Sequence, residues 1–393
     1  MAQSQNTINL SSLLLTCMNS SDPMLTMLRW LCEQMMESEI SLRLAAEKNQ
    51  HTSDRKGYRC GYRPRRLDTR MGTIYLLVPK VREGGYIPFF VTERKRSEAA
   101  LVQVVQEAFV QGISTRKIEK LAQKLGIENM SHGQASMMAQ GLDRQVSEFR
   151  HRSLKGHRYP VLWTDALYEK VRVDGRIVSM AIMVVCGVNE EGKREILAIE
   201  PMMEESAESY KTLFSSLKER GLPNPLLVVS DGHKGIIKAV RESFPGCSWQ
   251  HCKVHLMRNI MVHVPHHAKK AFGEKIKEIW LASEEEEARK RAKEFCDVYG
   301  TKFPKAIEIL EENLDESLSY YAYPQIDAKK IASTNMLERL NREIRRRTGV
   351  VGIFPNPDSY IRLVTTYLME YEEDWSVGRC YIAQGSLQKL LPA

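Results

Sequence analysis

The chain contains 8 cysteines but no Cys-x-x-Cys pair. Neither a disulfide framework nor a paired-cysteine zinc module is therefore expected, and a reducing cytosol is the default compartment. No apolar run approaches the roughly 20 residues needed to cross a bilayer. The short run Leu13, Leu14, Leu15 lacks a basic lead and a small-residue cleavage site, so it does not read as a signal peptide. Internal repeats and low-complexity tracts are missing, which argues against solenoids and long disordered tails. The bracket from Gly232 to Gly235 lacks the remaining signature of a phosphate-binding P-loop. Lys234 inside it is expected to be solvated, with a DNA-backbone contact as the alternative.

What is present describes an ordinary globular protein of some size. The 393 residues allow two to four domains, and 43% hydrophobic with 27% charged residues supports sizeable cores. A net charge of +8, from 57 basic and 49 acidic residues, is modest. Its distribution is more informative. Arg55, Lys56, Arg59, Arg63, Arg65, Arg66 and Arg70 face only Asp54 and Asp68 in one stretch. Arg339, Arg342, Arg345, Arg346 and Arg347 form a second cluster, and the run 284–287 is all glutamate.

The N-terminal part reads as small modules. Residues 22–48 predict a helix, with Ser21 or Asp22 as cap, Pro23 in the first turn and an apolar face of Met24, Leu25, Leu28, Leu31, Met35 and Leu42. That face is expected to pack in a core, with a dimer contact as the alternative. Residues 73–78 predict a strand, and Gly84 with Gly85 a turn. Just before the strand, Tyr58 and Tyr62 interleave with Arg59, Arg63, Arg65 and Arg66, a mixture that favours phosphate contact over a plain solvated face. Residues 97–150 predict three helices, capped by Ser97, Ser114 and Ser131, with stops at Gly112 and Gly126. A short helix, a glycine turn and a polar-faced helix resemble a helix-turn-helix, although many small bundles share the pattern.

From Tyr159 onward the pattern changes. Strands are predicted over 161–164, 169–174, 176–186 and 195–199, with turns at Asp174–Gly175 and 189–192. A helix over 206–220, a strand over 226–230, a helix over 233–244 and a strand over 247–250 follow. Hairpins followed by strand, helix and strand give a mixed sheet, in the order of a ribonuclease-H-like domain. From Cys252 to Leu318 the sequence is helical and charged, an insertion before the helix that carries Glu338. Pro355 and Pro357 interrupt, and a last amphipathic helix is predicted over 359–374.

Three acids stand out within this framework. Asp165 ends the apolar run Val161-Leu162-Trp163-Thr164, and Asp231 ends Leu226-Leu227-Val228-Val229-Ser230. Open α/β sheets collect their sites at such strand ends. Glu338 sits in a helix with Asn341, Arg342 and Arg345 at offsets of three, four and seven. Any one acid alone reads as a turn, a cap or an exposed ion pair. Together they make a plausible cage for divalent cations. Clustered carboxylates resist full ionisation without a cation, and two Mg²⁺ ions about 3.5–4 Å apart would relieve that conflict. The neighbouring arginines suit bidentate phosphate binding. An enzyme that cuts or joins nucleic-acid backbones is the reading that follows.

The segment Trp249-Gln250-His251-Cys252-Lys253-Val254-His255 invites a zinc reading, because Cys252 and His255 have Cys-x-x-His spacing. A structural zinc needs four well-spaced ligands, and the second pair is not convincing here. A packed, hydrogen-bonded Cys252 and His255 is preferred. Trp249 is expected in the core, with base stacking as the alternative.

The stretches LWTDALYEKVRVDGRIVSMAIMVVCGVNEEGKREIL, ERGLPNPLLVVSDGHKGIIKAV, FPGCSWQHCKVHLMRNI and STNMLERLNREIRRRTGVVGIFPN resemble the Mutator-type transposases of bacterial insertion sequences. The resemblance is clearest over about 155–375 and extends more weakly into GYRPRRLDTRMGTIYLLVPKVREGGYIP and STRKIEKLAQKLG. It implies a DDE-type transposase: a multidomain α/β chain with a ribonuclease-H-like mixed sheet, an all-helical insertion, and helical and small β DNA-binding modules in front. It assigns Asp165, Asp231 and Glu338 as catalytic ligands of Mg²⁺ or Mn²⁺, two ions per active site. Cys252 and His255 match a signature of structural or DNA-related role.

The expected division is 1–95 for a basic module that binds DNA and dimerises, and 96–152 for a helix-turn-helix-like module. The catalytic core spans 153–255 and 329–393, separated by the insertion 256–328. Expected contacts to double-stranded DNA are Arg59, Arg63, Arg65, Arg66, Lys117, Arg342, Arg345 and Arg346. The family's action on paired transposon ends implies a homodimer, in a bacterial cytoplasm and on the nucleoid when bound. A DNA-binding regulator and a metal-dependent nuclease without joining activity are the competing readings.

Overall fold

The structure, a computed structural model of the chain, describes residue 15 and residues 17–82, 85–88, 90, 99–125, 127 and 130–390. The chain forms two compact units, Met1–Phe109 with Ile113–Gly141, and Val110–Gly112 with Leu142–Ala393.

In the first unit, helix α1 (Pro23–Leu44) starts where the sequence predicts. The Asp22 side chain accepts from the Leu25 N–H at 3.0 Å, and Pro23 occupies the first helical position. Its buried face differs from the expectation. Cys32, Met36, Ile40 and Leu44, spaced by four, pack against Leu67, Ile74, Leu76 and Val78. Leu25 and Leu28 only flank that cluster, while Met24, Leu31, Met35 and Leu42 are exposed. The predicted stripe had placed these longer side chains in the core. Which stripe is buried depends on where the sheet lies, and that is not a local property.

The expected strand is longer, β2 (Gly72–Val81), and its antiparallel partner is the arginine-rich stretch itself, β1 (Arg59–Thr69). Thr69 pairs with Gly72 across a two-residue loop. Along β2, Ile74, Leu76 and Val78 point inward while Tyr75 and Leu77 are exposed, the two-residue period of a half-buried strand. Of the expected turn glycines, Gly84 lies outside the described residues and Gly85 has a φ of 46°.

Helices α2 (Ala99–Val110), α3 (Thr115–Lys124) and α4 (His132–Gln140) follow. Ser131 and Gln134 form a reciprocal capping box. Ser114 occupies the cap position of α3 without a side-chain bond, and Ser97 and Gly126 lie outside the described residues. The third predicted helix is two, because the chain breaks at Gly141 before α5 (Asp143–Arg150) in the second unit.

The second unit is built on a five-stranded mixed sheet. Its strands are β3 (Val161–Val173), β4 (Arg176–Val188), β5 (Arg194–Met202), β6 (Leu227–Ser230) and β7 (Ser248–His251), in the order β5-β4-β3-β6-β7. The pairs β3–β4 and β4–β5 are antiparallel; β3–β6 and β6–β7 are parallel. Asp174 (φ 47°) and Gly175 (φ 78°) make the predicted two-residue turn, both in the left-handed region that such a hairpin demands.

One expectation fails here. The predicted strands 161–164 and 169–174 are a single strand, so Asp165 is its fifth residue and not its end. The parallel partner β6 accounts for the difference. It pairs only with Val161, Leu162 and Trp163, and past that point β3 continues as a ribbon with β4. Asp165 therefore stands where the sheet narrows.

Helices α6 (Ala207–Glu219) and α7 (Lys234–Ser243) cover the sheet. Tyr210, Leu213, Phe214, Leu217, Ile236 and Val240 meet Leu162, Met183, Val185, Leu197 and Val228 in one core. Burying each large side chain contributes roughly 1.5–3 kcal/mol, against about 1 kcal/mol net for a hydrogen bond. Burial thus dominates for the four-residue β6, all of it enclosed.

Between β7 and residue 335 the described elements are helical: α8 (Lys253–Val262), α9 (Lys269–Lys277), α10 (Glu285–Tyr299), α11 (Pro304–Ser317), α12 (Ala328–Ile331) and two short 3₁₀ turns. Helix α13 (Asn335–Thr348) then returns to the sheet. Past its end, the Phe354 N–H donates to the Lys170 carbonyl and the Arg172 N–H to the Phe354 carbonyl, both at 2.9 Å. This clamp ties the chain after α13 to the ribbon part of β3. Helix α14 (Pro357–Val377) starts two residues before its predicted span, capped by Asn356, and is followed by α15 (Gln384–Gln388), which sequence reading missed. Among the described residues no helix is long and apolar enough to cross a membrane.

Candidate active site

The parallel register brings two of the three acids to one end of the β3–β6 ladder. Trp163 lies opposite Val229 in the last pair of that ladder; Asp165 follows two residues on along β3, and Asp231 follows Val229 by two, just past the end of β6. Asp231 follows directly on β6, and its Oδ1 accepts from the His233 N–H at 3.3 Å. Gly232 must be small. A Cβ there would come within 2.6 Å of the His251 ring, so a larger residue would push Asp231 out of line. Trp249 is 7% exposed and donates from Nε1 to Ser230 Oγ at 2.8 Å, bracing β6 from within the core.

Glu338 arrives from α13. That helix is positioned at its N-terminus by Thr334, whose N–H and Oγ1 each lie 3.3 Å from Cys252 Sγ. Cys252 is the residue before α8, so one sulfur joins the starts of two helices. From α8, His255 Nε2 lies 3.3 Å from Glu338 Oε1 and Arg258 donates to the same oxygen at 3.1 Å. One turn after Glu338, Asn341 donates from Nδ2 to Asp165 Oδ2 at 2.8 Å. Asn341 is 5% exposed, and its own Oδ1 is buried without a hydrogen-bond partner.

Asp165, His255, Glu338 and Asn341 line one cleft of about 280 Å³ with Arg258, Arg342 and Arg345 around it, and Asp231 is not among its lining residues. Burial pushes the Asp165 carboxyl up to about 6; His255 opposes the rise, and the charges of Asp231 and Glu338 add to it. His255 moves up to about 8, through its hydrogen bond to Cys252 and against its own burial, with the Cys252, Asp165 and Glu338 charges adding. Burial would raise the Cys252 thiol, but His255 and Thr334 outweigh it and hold the thiol below its ordinary value.

Three carboxylates thus share one electrostatic neighbourhood at a cost visible on Asp165. Hard oxygen donors that repel one another fit a hard divalent cation. Among the described residues, no group of three or more His, Cys, Asp and Glu side chains is gathered as tightly as a metal requires. Glu338 faces the cations of α8 instead. The donors suit such an ion by their chemistry, but the described side chains are not drawn together around one position.

The expected DNA contacts fall into different circumstances. Arg342 and Arg345 line the cleft. Arg346 is exposed and pairs with Glu343 at 3.1 Å. Lys117 is exposed on α3. Arg59 donates to the Ala46 carbonyl and Ser41 Oγ, Arg63 to the Tyr86 carbonyl, and Arg66 to both oxygens of buried Asp68 at 2.9 Å. Arg65 is partly buried, and burial lowers its pKa, with nearby Arg63 adding. Sequence reading missed Arg258 and gave Asn341 no role. Their helical offsets, three from His255 and three from Glu338, were the available signal.

Residues 1–378 match the family described as Transposase, Mutator family. The chain is 36% identical over 344 residues to the transposase for insertion sequence element IS256 in transposon Tn4001 of Staphylococcus aureus, covering 87% of this chain and 88% of that protein. It is 35% identical over 372 residues to the transposase for ISRM5 of Rhizobium meliloti, covering 95% and 93%. It is 37% identical over 349 residues to the transposase for IS1081 of Mycobacterium tuberculosis, covering 88% and 84%.

Proposed function

The chain belongs to the Mutator family of transposases, and from that premise we propose that it cleaves DNA at the ends of an insertion sequence and transfers the freed 3′-OH to a target. Asp165, Asp231 and Glu338 are the ligands of Mg²⁺ or Mn²⁺ in this reading, two ions per site. Bound there, the ions would supply positive charge to the attacking and leaving oxygens of a phosphodiester. The strand order β5-β4-β3-β6-β7, with three antiparallel strands and two parallel ones, supports a ribonuclease-H-like description of the sheet.

The chain's own residues do the positioning. Asn341 fixes the rotamer of Asp165 by holding Oδ2, which leaves Oδ1 to accept the Ala166 N–H at 3.1 Å. His255 and Arg258 hold Glu338 and balance its charge. Arg342 and Arg345 offer forked donors to the phosphates on either side of the scissile bond. Positioning and electrostatics suffice for in-line phosphoryl transfer, with no covalent protein–DNA link. Action on two ends at once calls for a homodimer, and the DNA is the double-stranded terminal repeats plus the target.

The observation that carries the reading is the cleft in which Asp165 and Glu338 meet three arginines, with the Asp231 carboxylate, just past the end of β6, close enough to act on Asp165. Incubating the purified chain with labelled ends of its element, a supercoiled target plasmid and Mg²⁺ tests it. Joined product is the expected result. Cut but unjoined ends would make it a nuclease, and retarded but intact ends a regulator.

A further inference from the structure

A second cavity lies on the other side of α13. It encloses about 510 Å³, within the range of small-ligand sites. Arg194, Lys253, Lys329 and Arg339 line it, together with the rings of Tyr371, Trp375 and Tyr381, and no carboxylate is among its lining residues. Arg194 is clamped between two of those rings, 4.1 Å from the Trp375 centroid and 4.6 Å from Tyr381. Among the described residues none of these four cations makes an ion pair. The Asp327 carboxylate beside the cavity acts on Lys253 but is outnumbered, and such an excess of like charge in a half-enclosed space favours an added anion.

A separate observation points the same way. Ser333, which lines this cavity, is 2% exposed, and its Oγ is buried without a hydrogen-bond partner. Buried hydroxyls are normally paired, and an orphan facing a basic cavity is a donor awaiting an acceptor. The wall is firmly built. The Tyr381 N–H donates to the Gly192 carbonyl at 2.7 Å, and the Tyr381 ring meets Trp163 edge-on at 5.7 Å. Trp163 lies two residues before Asp165 on β3, and Arg339 follows Glu338 on α13. The cavity is therefore about one helix diameter, roughly 10 Å, from the acidic cleft.

We propose that this cavity binds one unpaired nucleotide of a DNA strand, the phosphate held by Arg194, Lys253, Lys329, Arg339 and Ser333 Oγ and the base laid against the Trp375 and Tyr371 rings. An unpaired base is required because the bases of an intact duplex are stacked and cannot reach into a walled cavity. The site deepens the transposase reading: it would hold a strand displaced or frayed beside the scissile bond, and it rests on that reading for its purpose.

The test measures fluorescence anisotropy of the full chain, with chelator present, on a labelled oligothymidylate of about ten nucleotides, a length that one single-strand groove covers. The same strand with abasic sites and a blunt duplex of equal length are the comparisons. Wild type is expected to bind the oligothymidylate about tenfold more tightly than the abasic strand, the contribution of one stacked base. Trp375→Ala should abolish that preference and Trp375→Phe retain it. Lys329→Ala with Arg339→Ala, both exposed side chains, should weaken both single strands about tenfold and the duplex far less. Thymidine monophosphate should compete better than inorganic phosphate. Equal binding of the oligothymidylate and the abasic strand by wild type, or variants that bind like wild type, would overturn the proposal. Because cutting is blocked throughout, a chain that binds in this way and never joins DNA would refute the strand-transfer reading alone.

Discussion

Two arginine clusters of similar density end in opposite circumstances. In β1 three arginines already have acceptors within the fold: Arg66 grips Asp68, Arg59 reaches Ser41 and the Ala46 carbonyl, and Arg63 reaches the Tyr86 carbonyl. On α13, Arg342 and Arg345 make no ion pair among the described residues and stand around the cleft with Glu338. A run of positive charge in a sequence reports how many guanidinium groups exist, not how many are available to phosphate. Availability depends on whether the fold offers each one an acceptor first.

The largest expected effect comes from the acids that the α13 arginines surround. Glu338→Gln, Asp165→Asn and Asp231→Asn should each lower cleavage and joining by at least about a thousandfold while end binding in gel shifts is retained, as when one member of a catalytic unit is removed. Wild-type joining by any of them would detach that residue from the chemistry. Next is Arg66→Ala. It strips the cation from Asp68, which is 3% exposed, and breaking such a buried pair costs about 3 kcal/mol. Chemical denaturation should register that loss, and the salt dependence of DNA binding should not change. A flatter salt slope at unchanged stability would move Arg66 to the DNA and erase the contrast between the clusters.

Arg342→Ala and Arg345→Ala should show the reverse: near-normal stability, weaker binding to DNA, and a salt slope reduced by about one phosphate contact each. Slopes identical to wild type would remove them from the interface. The smallest effect belongs to Arg346→Ala. Its partner Glu343 is also on the surface, and such a pair is worth about 0–1 kcal/mol. Affinity measured at low ionic strength should fall by about threefold, and the difference should fade as salt screens it.

What was legible in the sequence was local. Asp22 before Pro23, the Ser131 cap and the Asp174–Gly175 turn are decided by a few neighbouring residues, and the structure uses each as read, adding a reciprocal bond from Gln134 at the second. A mixed sheet with an antiparallel and a parallel half followed from hairpin signals plus the strand–helix–strand run after them; the order of the strands across it did not. Features set by distant partners were not legible. β3 runs through Asp165 because β4 pairs with it over thirteen positions, whereas the apolar pattern breaks at the acid. The buried stripe of α1 is chosen by the position of β2. In the site, Asp165 and Asp231 could be singled out as ends of apolar runs, and Glu338 by its arginine company. The Asn341–Asp165 bond and the Arg258–Glu338 pair join residues 176 and 80 positions apart, so no local pattern announces them.

Manganese bound in crystals of the chain and located by its anomalous scattering tests the central claim most directly. The account predicts peaks about 2.1 Å from carboxylate oxygens of Asp165, Asp231 and Glu338, with the Glu338 side chain swung away from Arg258. A chain that joins DNA in solution yet shows manganese elsewhere, with Glu338 still paired to Arg258, would contradict it.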